Sequence, residues 1–101
     1  MKLTEKTLEE LGFRYIKSPY INDWVWVIGK ENDQYERSSI IRYDIDHCVV
    51  TYIGGQFEVI TRENITDDWE LTEFVRCIQF LYPDISDQIQ LKVSNHFNSE
   101  E

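Results

Sequence analysis

Cys48-Val49-Val50-Thr51-Tyr52-Ile53-Gly54-Gly55-Gln56-Phe57-Glu58-Val59-Ile60-Thr61 decides the fold of this chain. Two runs rich in β-branched and aromatic residues flank a Gly-Gly pair, the mark of a two-residue hairpin turn. Such a turn fixes the register. Tyr52 then faces Phe57, Val50 faces Val59, and Cys48 faces Thr61. Directly opposed residues share one face of a sheet. Upstream, a turn at Ile45-Asp46 pairs Tyr43 with Cys48 and Ile41 with Val50. The two turns, placed independently, agree on one face: Ile41, Tyr43, Cys48, Val50, Tyr52, Phe57 and Val59.

Further strands lie upstream. Trp24-Val25-Trp26-Val27-Ile28 is aromatic and β-branched throughout, and Gly29 ends it. Phe13 to Lys17 alternates imperfectly and stops at Ser18-Pro19. Residues 30–38 read as a polar loop.

Helices close both ends of the sheet region. Leu71, Phe74, Val75, Ile78, Leu81 and Tyr82 fall on one helical stripe. Asp67, with Glu70 three residues later, has the spacing of an acidic capping box, and Tyr82-Pro83 ends the helix. Near the N-terminus, Thr4 reads as a cap, with Leu3 and Leu8 in staple positions and Gly12 as the stop. The expected fold is α+β: an antiparallel meander sheet of four to five strands, a C-terminal helix packed across one face and a short N-terminal helix. Residues 1–94 are expected to form a single domain, with 95–101 as a flexible acidic tail. Ile85 to Val93 fits either an edge strand or a helical turn.

The second face of the sheet carries Ile40, Val49, Ile53 and Ile60 among Arg42, Thr51, Gln56 and Glu58. The Trp24–Ile28 strand adds either its tryptophans and Ile28, or Val25 and Val27. A solvated face is usually more polar. The N-terminal segment, a second copy of the chain or another protein is expected to cover it.

At 101 residues and 12.2 kDa the chain has room for one domain. An apolar fraction of 42% excludes a disordered chain. A net charge of −9 argues against direct nucleic-acid binding. The charge is uneven: residues 31–101 hold five basic and fifteen acidic side chains, a net of −10. Met1 to Leu11 has regular charges and no apolar core of a signal peptide, and the longest apolar run is five residues. A cytoplasmic protein without membrane contact is expected.

Candidate chemistry is sparse. Asp44, Asp46, His47 and Cys48 are all metal-ligand types, but they flank a tight turn and no second ligand pair stands at a metal-binding interval. No metal or cofactor is expected. Cys48 and Cys77 fall on or beside apolar faces and are expected to be unreactive core thiols. No nucleophile–base pair or glycine-rich phosphate loop is present, so an enzyme built on an unrecognised carboxylate site ranks below a binding role.

The order of a short helix ending in Leu11-Gly12-Phe13, a Trp-rich strand, a meander and an acid-capped helix resembles the small α+β proteins of phages and mobile elements. Some of these are anti-defence inhibitors, including anti-CRISPR proteins. The resemblance covers about residues 3–82 and carries no functional residue with it. It implies a small acidic protein that binds, and inhibits or masks, a basic nucleic-acid-binding protein surface. Glu31, Asp33 and Glu36 of the loop and Asp44 and Asp46 of the turn are the candidate binding residues, because loops on a rigid scaffold commonly carry recognition. The alternative is a structural or self-assembling module, a homodimer through the apolar second face.

Overall fold

Each β-rich run pairs with its neighbour in the chain. A computed structural model of the protein describes residues 3–17, 24–30, 39–54, 58–85, 89 and 91. Helix α1 (Glu5–Leu11) leads into strands β1 (Arg14–Lys17), β2 (Trp24–Lys30), β3 (Ser39–Asp44), β4 (Val49–Gly54) and β5 (Glu58–Arg62). Helix α2 (Asp68–Leu81) follows, then a 3-10 turn at Pro83–Ile85. The strands form one five-stranded sheet in the order β1-β2-β3-β4-β5, antiparallel at every pairing. The expected α+β meander is the observed fold.

The caps act as their sequence signals predict. Thr4 Oγ1 accepts from the Thr7 amide at 3.1 Å, and Gly12 takes a left-handed φ of 105° past the end of α1. Asp67 Oδ1 accepts from the Glu70 amide at 2.8 Å at the start of α2. Leu3 and Leu8 are both buried.

One core lies between the sheet and the helices. Trp26 and Ile28 of β2, Ile41 and Tyr43 of β3, and Val50 and Tyr52 of β4 meet Leu71, Phe74, Val75 and Ile78 of α2. Leu8 and Leu11 of α1 join this same core, so α1 does not cover the second face. Beyond α2, Ile89 is fully buried, and Gln79 Nε2 donates to its carbonyl at 2.6 Å.

Both hairpin registers differ from the expected ones. The β3–β4 turn spans four residues, Ile45 to Cys48, and Tyr43 pairs with Val50 rather than with Cys48. This shift is even, so Ile41, Tyr43, Val50 and Tyr52 keep the core face. Cys48 leaves it, sitting half-buried in the turn with a left-handed φ of 56°.

At β4–β5 the shift is odd. Gly54 pairs with Glu58, and Tyr52 with Ile60. Gly54 is the last residue of β4, and the Tyr52 phenol occupies the space a Cβ there would fill. β4 thus ends at Gly54 and β5 begins at Glu58. An odd shift turns every side chain of the strand over. Val59 points to solvent at 58% exposure, and Ile60 packs partly against the core. The expected inward Val59 and outward Ile60 are thus reversed, and Thr61 pairs with Thr51. Phe57 and Gln56 lie outside the described residues.

The second face takes Val25 and Val27 from β2, not the tryptophans. They cluster with Ile40 and, at the margin, Ile16. Val27 is fully buried. Arg14 pairs with Val27 and donates from Nη2 to the Gly29 carbonyl at 2.7 Å, so its side chain runs along β2 on this face.

On α2 the stripe holds through Ile78, while Leu81 is exposed. Cys77 is exposed as well, because it stands about 100° round the helix from Ile78. The expectation of a core thiol at Cys77 is overturned. A maleimide probe should label Cys77 rapidly in the folded protein and Cys48 more slowly. Peptide mapping by mass spectrometry after brief labelling checks this, and faster labelling of Cys48 would contradict it.

Candidate functional site

The 45–48 turn follows from Asp44. One of its oxygens, Oδ1, accepts from the Asp46 amide at 3.0 Å and the His47 amide at 3.1 Å. Aspartate favours such turns because its side chain satisfies backbone donors two and three residues on. The other oxygen, Oδ2, lies 2.8 Å from His47 Nδ1. Asp46 is left exposed, with its carboxylate turned to solvent.

The base of the turn is anchored to the core through Ile65. The Ile65 amide donates to the Cys48 carbonyl at 2.9 Å, and the Tyr43 hydroxyl donates to the Ile65 carbonyl at 2.6 Å. Burial pushes the Tyr43 phenol well above its ordinary pKa, with Cys48 and the charges of Asp44 and Glu70 adding to the effect. The hydroxyl therefore stays protonated and keeps donating. Asn64, at a left-handed φ of 60°, turns the chain into this contact.

Beside the turn lies a cleft of about 570 Å³ at the end of the sheet. Asp44, Asp46 and His47 are among the residues that line it. Tyr15 and Trp24 line it too, their rings stacked with centroids 5.3 Å apart. Tyr15 and Trp24 are 51% and 54% exposed. Trp26 continues the row at 5.0 Å from Tyr15, buried, its Nε1 without a hydrogen-bond partner among the described residues. Among the described residues, Arg42 is the one lysine or arginine in the lining.

Asp44 titrates below its ordinary value of 3.8. Burial works the other way and raises it, but the His47 imidazole, the His47 amide and charge and the Asp46 amide together outweigh burial. A carboxyl lowered on folding adds stability above its ordinary pKa, and loses it as pH falls through the lowered value. The stability difference between the wild type and Asp44→Asn should therefore be present at neutral pH and shrink below about pH 4. Urea melts across that range check it; a difference that grows on acidification would contradict it.

Of the sequence-derived candidates, Asp44 and Asp46 stand together at this cleft. Glu31, Asp33 and Glu36 lie outside the described residues. Sequence reasoning missed Tyr15 and Trp24. Their meeting depends on the β1–β2 register, in which Tyr15 pairs with Trp26 and Lys17 with Trp24. Among the described residues, no three His, Cys, Asp or Glu side chains stand together as a metal set. No helix among them is long and apolar enough to cross a membrane. No protein-family model, curated protein or solved structure matches this chain.

Proposed function

We propose that this protein acts by binding, and that the cleft lined by residues of the 45–48 turn and by Tyr15 and Trp24 receives lysine or arginine side chains from a basic protein surface. The observation that carries this is that exposed carboxylates on an anchored turn and two exposed, stacked rings line one cleft. Guanidinium and ammonium groups are attracted both by carboxylates and by aromatic faces. The surrounding field supports the same choice of partner. With a net charge of −9, the chain repels nucleic acid and steers basic surfaces toward itself. Nucleic-acid channels are lined with Lys and Arg that follow phosphates. A protein that fills such a channel inhibits its owner, which is the anti-defence role of the phage proteins this chain resembles.

Affinity capture from the native host tests the proposal. Wild-type protein and a Trp24→Ala, Asp46→Lys variant are used as parallel baits. The wild type should retain a basic, nucleic-acid-binding protein that the variant loses and that added DNA or RNA displaces. Identical sets on both baits, or a captured protein indifferent to nucleic acid, would contradict it.

A further inference from the structure

Helix α2 carries a second seam, diametrically opposite the one it buries. Trp69, Glu73, Arg76 and Phe80 are spaced four, three and four residues apart. At 100° per residue they fall within about 60° of arc. This is the spacing of a coiled-coil contact line. All four are at the surface, Phe80 at 86% exposure and Trp69 at 57%. Cys77 and Leu81 flank them, also exposed. Neither Glu73 nor Arg76 makes an ion pair among the described residues.

The order of these residues is self-complementary. If two copies of α2 lie antiparallel across a two-fold axis midway between Thr72 and Cys77, Trp69 of each meets Phe80 of the other. Glu73 of each then meets Arg76 of the other. Both aromatic contacts and both charge pairs form at once, which is what an isologous interface requires. A partner of another sequence would need to reproduce this pattern; a second copy has it already.

We propose that a second copy of this chain docks on the outer face of α2, antiparallel, through Trp69, Glu73, Arg76 and Phe80. The surface lies on a different element from the cleft, so the two bindings are independent. The dimer forms against the repulsion of two chains of net charge −9, and so is reversible.

Sedimentation velocity at physiological ionic strength, over a concentration series, tests it. The wild type should show a monomer–dimer equilibrium. Arg76→Glu and Glu73→Arg should each weaken it by about tenfold or more, because each places like charges opposite one another. The swap carrying both changes should restore it, since the pair is re-formed with its signs exchanged. Phe80→Ala, at a site with no core contact, should weaken it without unfolding the chain. Cross-linking gives the geometry. In a Cys48→Ser background, the two Cys77 Cα atoms lie about 10 Å apart, from helix rise and ordinary interaxial distance. A short bis-maleimide should therefore join them. A chain that stays monomeric throughout the series would overturn the proposal. So would a dimer indifferent to Phe80→Ala and to both single charge changes.

Discussion

Phe74→Ala should destabilise the protein by about 3–5 kcal/mol, the usual cost of emptying a buried aromatic site. Phe74 is 2% exposed and stands at the centre of the α2 stripe, where it meets the core face of the sheet. Its truncation leaves a cavity between two layers that cannot close, because the sheet is fixed by its ladders and α2 by its caps. Arg62, whose guanidinium lies 5.8 Å from the ring centroid, loses its aromatic partner as well. Net stability for a domain of this size is about 5–15 kcal/mol, so the loss is a large share of it. The melting temperature should fall by about 12 °C or more. Phe80→Ala, on the opposite side of the same helix, should change stability by less than about 0.5 kcal/mol. Urea melts of both variants provide the measurement. Equal effects at the two positions would mean that α2 does not pack as described.

The second large effect concerns binding. Asp46→Lys should slow association with the captured partner by about tenfold at low salt, because a rim charge acts mainly on the encounter. Asp46 is suited to this test: its carboxylate bonds nothing in the turn, whereas Asp44 holds the turn together. Trp24→Ala should act on dissociation instead, as exposed tryptophans that become buried on binding dominate interface energies. About tenfold faster release is expected, and about a hundredfold loss of affinity when the two changes are combined. Raising the salt should remove the effect of Asp46→Lys and leave that of Trp24→Ala. Surface plasmon resonance separates the two rates. If Asp46→Lys and Trp24→Ala both leave them unchanged, the cleft is not the interface.

Much of the fold was legible in local signals. Thr4, Gly12 and Asp67 with Glu70 act where their types and spacing place them, since capping depends on a few adjacent residues. Ile41, Tyr43, Val50 and Tyr52 kept their face because the β3–β4 register moved by an even number. What local signals could not convey was the contact between Tyr52 and Gly54. A glycine pair reads as a turn, yet here its first member lies within β4, beside the Tyr52 phenol, and β5 pairs in a register shifted by an odd number. Cys77 was misplaced for a simpler reason: adjacency to a stripe in sequence is 100° away from it on a helix. At the site, the acids of the turn were legible as turn residues. The aromatic wall was not, because β1 and β2 are joined through residues 18–23, whose composition fixes no register.

The most direct test of the cleft as a receptor for cationic side chains is a two-dimensional 15N–1H NMR titration of the whole protein with an arginine-rich peptide. A glutamate-rich peptide of equal length serves as the control. The largest shifts should fall on the Trp24 indole N–H and on the amides of Tyr15, Asp46 and His47. They should saturate with the arginine peptide, diminish with salt and be absent with the control. Shifts spread evenly over the acidic surface, with Trp24 and Tyr15 unmoved, would contradict the account.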